Sequence, residues 1–113
     1  MEGYMGNKLS IKKFQLYGFD WKVKEVSPSG SDLDVDGVYA AATVDFRTHI
    51  IAVNQELTYK QKLAALGHEI VHIVIRYSGM GLLIENDKAE EDVCEAFGAA
   101  FGHVLQQIKV RSK

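Results

Sequence analysis

Thr58-Tyr-Lys-Gln-Lys-Leu-Ala-Ala-Leu-Gly-His68-Glu69-Ile-Val-His72 is the stretch on which the reading of this chain turns. Thr58 and Gln61 stand at capping-box spacing: the Thr58 hydroxyl accepts from the Gln61 backbone N–H while the Gln61 side chain reaches back. From there Leu63, Leu66, Ile70, Val74 and Tyr77 recur at helical spacing, which predicts a helix to about Arg76, ended by Gly79 and Gly81. Within that helix His68 and His72 are four residues apart, so both imidazoles stand on one face and reach the same ion. Zinc accepts neutral imidazole, and Glu69, beside that face, is placed to act on a water as general base.

Moving toward the C-terminus, a loop over 80–87 leads to a second predicted helix, from about Lys88 to Lys109. Its expected apolar stripe is Val93, Ala96, Phe97, Ala100, Phe101, Val104 and Ile108. A catalytic zinc site takes three protein ligands and keeps one position open, so a third ligand is needed. Cys94, Glu85, Asp87, Glu90, Glu91, Asp92 and Glu95 are downstream candidates, with His103 and His49 as further options. Glu91 shares a stripe with Cys94, Glu95, Gly98 and Gly102, whose small residues would let the two helices approach closely. Glu90 lies nearer the centre of the apolar face and competes with it. Periodicity alone does not separate the two.

Moving toward the N-terminus, the signals turn from helix to strand. Ser10-Ile-Lys-Lys-Phe-Gln-Leu-Tyr17 reads as a short helix capped by Ser10 and ended by Gly18. Phe19-Asp-Trp-Lys-Val-Lys24 alternates, which puts Phe19, Trp21 and Val23 on one face of a strand. After a break at Ser27-Pro-Ser-Gly-Ser31, two strand-like runs follow, 37–45 and 49–53, joined by a hairpin loop over 45–49. Ser31-Asp-Leu-Asp-Val-Asp-Gly37 opens like a calcium loop. Its twelfth position is Thr43 and not Glu, so it reads as a solvated strand entry. The expectation is an α+β, zincin-like fold: a small antiparallel sheet of about three strands packed on two main helices, in a single domain over 1–113.

The remaining composition narrows the function. With 113 residues, 47% hydrophobic and 25% charged, the chain has material for one modest core. Thirteen Lys and Arg against fifteen Asp and Glu give a net charge of -2, which argues against a dedicated nucleic-acid binder. No apolar run is long enough to cross a bilayer, and residues 1–8 lack a signal-peptide stretch. Cys94, the single cysteine, cannot form an internal disulfide, which fits a reducing, cytoplasmic setting.

His68-Glu-Ile-Val-His72, followed by Glu90-Glu91-Asp-Val-Cys-Glu-Ala-Phe97, resembles the small zinc metallopeptidases of the ImmA/IrrE type, above all the compact forms of phages and integrated elements. Glu91 and Phe97 occupy the ends of that family's second signature, whereas Cys94 and Glu95 stand where it has Ala and Asn. The resemblance spans roughly residues 19–105. It implies a gluzincin-type site, with zinc held by His68, His72 and Glu91 and with Glu69 as the catalytic base. It also implies hydrolysis of a peptide or protein substrate, such as a regulatory protein of a mobile element. The contrasting expectation is a catalytically silent, zinc-containing module that acts on a regulator by contact. An intact Glu69 argues for the enzyme, because a structural zinc site needs no base.

Overall fold

The computed structural model describes residues 8–111, without the side chains of 106 and 108–111. The expected role of Ile108 and the reading of the extreme N-terminus lie outside the described residues. The fold class is α+β. Six strands come first: β1 (Lys13–Leu16), β2 (Phe19–Val26), β3 (Asp34–Val35), β4 (Val38–Tyr39), β5 (Ala42–Asp45) and β6 (Ile50–Asn54). Two helices follow, α1 (Tyr59–Ser78) and α2 (Asp87–Arg111). By its contacts the chain divides into two compact units, Met1–Lys62 and Leu63–Lys113.

The first unit holds a four-stranded sheet of order β1-β2-β6-β5 and a separate β3-β4 ribbon. The sheet is mixed. β1 pairs with β2 and β5 with β6 antiparallel, but β2 and β6 run parallel, with Val23 opposite Ile51. Parallel neighbours need a long crossover, and the 27–49 segment between β2 and β6, which carries β3, β4 and β5, supplies it. Trp21, Val23, Ala42, Ile51 and Val53 are buried along these strands.

Two local expectations are corrected here. The segment 10–17 is not a helix, because Tyr17 (φ 55°) and Gly18 (φ 80°) form a two-residue turn that pairs 13–16 with β2 as a hairpin. Consecutive positive φ values match the right-handed twist of the paired strands, and that turn outweighs the weak Ser10 cap. The 37–45 run is likewise two strands. Asp36 (φ 53°) and Gly37 (φ 84°) make the same kind of turn between β3 and β4, with Gly37 N–H donating to Asp34 Oδ1 at 2.8 Å. The alternating aspartates are therefore hairpin chemistry. The 45–49 connection between β5 and β6 is a hairpin loop as expected, held by Asp45 Oδ1 accepting from the Arg47 and Thr48 N–H groups.

The start of α1 carries the expected capping box. Thr58 N–H donates to Gln61 Oε1 at 2.9 Å, and Gln61 N–H donates to Thr58 Oγ1 at 3.2 Å. Leu63, Leu66 and Ile70 are buried along it. Gly79, at φ 87°, ends it. Asn86 caps α2, its Oδ1 accepting from the Ala89 N–H at 2.8 Å.

The face of α2 is the third correction. Cys94, Gly98 and Gly102 are its buried positions, while Phe97, Phe101 and Val104 are exposed, Phe97 by 63%. The glycines explain the rotation. A Cβ on Gly98 would lie 2.6 Å from His68 Cα, and one on Gly102 would lie 2.6 Å from the Leu63 carbonyl oxygen. Gly67 faces them from α1, where a Cβ would lie 2.4 Å from the Gly98 carbonyl oxygen. Backbone meets backbone along this seam, a closer approach than bulky side chains permit.

Candidate metal centre

The close seam decides where the polar side chains stand. With Gly98 against the His68 backbone, the first turns of α2 pass directly over His68 and His72. Glu91 then reaches both rings: Oε1 lies 2.9 Å from His72 Nε2 and Oε2 lies 3.2 Å from His68 Nε2. The other nitrogens are engaged as well. Glu90 Oε2 is 2.6 Å from His72 Nδ1, and Glu95 Oε1 is 3.1 Å from His68 Nδ1. The rings themselves are 5.0 Å apart between centroids, at an interplanar angle of 61°.

Glu69 occupies the interior side of this cluster. Only 7% of it is exposed. Burial, with the Glu91 carboxylate adding repulsion, pushes its pKa up to about 8 from an ordinary 4.5. Cys94 is fully buried at the same level of α2. Burial and then the Glu91, Glu90, Glu69 and Glu95 charges push its thiol up to about 12. The thiol and one nitrogen from each of His68 and His72 all lie within 4.8 Å of one another.

The donor set fits a divalent cation, and zinc in particular. A neutral imidazole has one N–H and one lone pair. If each ring donates its Nδ1–H in a hydrogen bond to the outer carboxylate, two Nε2 lone pairs and two carboxylate oxygens converge on one point. Those atoms repel one another unless something positive lies among them. Two imidazoles and a carboxylate are also the hard-to-borderline ligands that zinc takes at about 2.0–2.2 Å. Two further donors stand beside the rings: Glu91, whose oxygens are 2.9 and 3.2 Å from the two Nε2 atoms, and Cys94, whose thiol lies within 4.8 Å of a nitrogen of each ring.

His68, His72 and Glu91 are in contact, and the buried Glu69 is near enough to feel the Glu91 charge. Other candidates are elsewhere: His49 stacks on Phe19 and Trp21, with centroids at 4.5 and 4.7 Å, and Asp92 pairs with Lys88 on the exposed side of α2. His103 is exposed. Sequence reasoning did not find the Nδ1 contacts of Glu90 and Glu95. The only signal available was that Glu90, Glu91 and Glu95 fall within six consecutive positions of one helix, and their target nitrogens depend on its rotation. Comparison with known proteins gives no matching family, no matching curated protein and no matching solved structure.

Proposed function

We propose that the chain is a zinc-dependent metallopeptidase that hydrolyses peptide bonds, with His68, His72 and Glu91 holding the metal and Glu69 acting as general base. The observation that carries this reading is Glu91 spanning the two Nε2 atoms at 2.9 and 3.2 Å while a buried carboxyl, Glu69, stands beside them. A zinc ion held by His68, His72 and Glu91 would supply Lewis acidity to a water and to the scissile carbonyl. Glu69 takes a proton from the attacking water as the new C–O bond forms, and delivers a proton to the amine nitrogen as the C–N bond breaks. The resemblance to ImmA/IrrE-type enzymes supports the reading and favours a regulatory protein of a mobile element as substrate, acted on in the cytoplasm.

Cys94 favours a second reading. A thiolate joining His68, His72 and Glu91 would complete four protein donors, the closed set of a structural zinc site, and the chain would then act by contact without cleavage. The test is metal content and peptide hydrolysis of the purified chain beside the double variant His68→Ala, His72→Ala. The enzyme reading expects about one zinc per chain and metal-dependent hydrolysis, both lost in the variant. Cobalt substitution separates the two readings, because a thiolate ligand adds an intense near-ultraviolet charge-transfer band that imidazole and carboxylate do not.

A further inference from the structure

Each imidazole is enclosed between two carboxylates, and only one of the two is shared. His72 has Glu91 on Nε2 and Glu90 on Nδ1; His68 has Glu91 on Nε2 and Glu95 on Nδ1. All three acids come from little more than one turn of α2. Glu91 and Glu95 are four residues apart and flank His68 from one helix face. Glu90 and Glu91 leave the helix about 100° apart, so adjacent residues reach opposite edges of the His72 ring.

We infer that Glu90 and Glu95 are positioning residues that fix both imidazoles with the proton on Nδ1, so that both Nε2 lone pairs face one point. The inference rests on the reading of His68, His72 and Glu91 as a zinc site. In the opposite tautomer a ring would turn the Nδ1 lone pair against Glu90 or Glu95, and its Nε2 proton would occupy the position the metal needs. A carboxylate on Nδ1 also makes the ring a more basic ligand. The two supports are unequal. The Glu90 contact is 2.6 Å, in the range of a strong charge-assisted bond, and the Glu90 side chain is 32% exposed. The Glu95 contact is 3.1 Å from a side chain that is 77% exposed, which leaves it more open to competition from water.

An ordinary surface ion pair gives a different expectation, and the same helix provides the control. Asp92 lies 3.0 Å from Lys88 at i,i+4, both well exposed, and has no part in the cluster. Zinc affinity of the full chain is measured by chelator competition for Glu90→Ala, Glu90→Gln, Glu95→Ala and Asp92→Ala. The imidazole proton spectrum of each zinc-loaded protein is recorded alongside. Glu90→Ala should lose about 10- to 100-fold in affinity, together with the downfield, slowly exchanging proton on His72 Nδ1. Glu90→Gln keeps an acceptor oxygen and should lose less, Glu95→Ala less than Glu90→Ala, and Asp92→Ala should stay within about twofold. Unchanged affinity and an unchanged His72 Nδ1 proton in Glu90→Ala would overturn this inference and leave the zinc site standing. A parent chain that holds no zinc would overturn both.

Discussion

A carboxyl with 7% of its surface exposed, facing another carboxylate, is costly to a fold unless it has a task. Glu69 has no place among the groups that converge on Nε2, which belong to His68, His72 and Glu91. Its expected signature follows: Glu69→Gln keeps zinc and the fold while peptide hydrolysis falls by about 10²-fold or more. Equal turnover in the two proteins would remove Glu69 from the chemistry. Glu91→Ala should give the opposite pattern, releasing the metal because two Nε2 atoms alone remain. At this scale the sequence was informative where chemistry constrains spacing. Four residues between His68 and His72 put them on one helix face whatever surrounds them. Glu90, Glu91 and Glu95 differ only in rotation about α2, and rotation is set by what that helix packs against.

Two glycines, Gly98 and Gly102, fix the orientation of α2, and here the hydrophobic pattern misleads. Phe97, Phe101 and Val104 form a strong apolar stripe in the sequence, yet they are exposed, and the buried line is Cys94, Gly98 and Gly102. Periodicity weighs a residue by its transfer free energy, so glycine counts for nothing in the pattern even where its missing Cβ decides the packing. The strand-rich half shows a parallel limit. Its strands 19–26 and 50–54 are legible from alternation, but the parallel pairing of β2 with β6 depends on partners distant in the chain. The hairpin turn at Tyr17–Gly18 depends on backbone angles that Tyr does not advertise. The seam makes a direct prediction. In Gly98→Ala the added Cβ would meet His68 Cα at 2.6 Å, and backbone cannot swing aside as a side-chain tip can. Overpacking of this kind costs about 1–3 kcal/mol, against roughly 1 kcal/mol of helix propensity gained. The urea midpoint should fall and zinc affinity should fall with it, because the displaced atom belongs to His68, a proposed metal ligand. Phe97→Ser, on the exposed face, should stay within about 0.5 kcal/mol. A Gly98→Ala protein as stable and as tight for zinc as its parent would mean that the helices tolerate a wider separation.

At the scale of the whole molecule, no helix among the described residues is long and apolar enough to cross a membrane, and a largely buried ion pair lies in the first unit. Glu25, on β2, accepts from Lys62 Nζ at 2.5 Å and from the Leu9 N–H at 2.9 Å, with Lys12 at 4.0 Å. Lys62, at the end of the first turn of α1, is 1% exposed, and its contact with Glu25 lies within the first unit. Burial alone would raise the Glu25 pKa; the bonds from Lys62 and Leu9 and the two ammonium charges outweigh it and hold the group below its ordinary 4.5. The sign of the linkage follows. A glutamate whose folded pKa lies below its unfolded value stabilises the fold fully above about pH 4.5, and that contribution disappears as pH falls through the folded value. Glu25→Gln removes the carboxylate that accepts from the Lys62 ammonium and the Leu9 N–H, so at pH 7 it should cost about 1.5–3 kcal/mol. The gap between parent and variant should then shrink as the pH is lowered from 5 toward 3, because protonation does to the parent what the substitution does to the variant. Urea midpoints of both proteins across that range give the comparison. A gap that stays constant down to pH 3 would show that Glu25 is not the group through which acid weakens this unit.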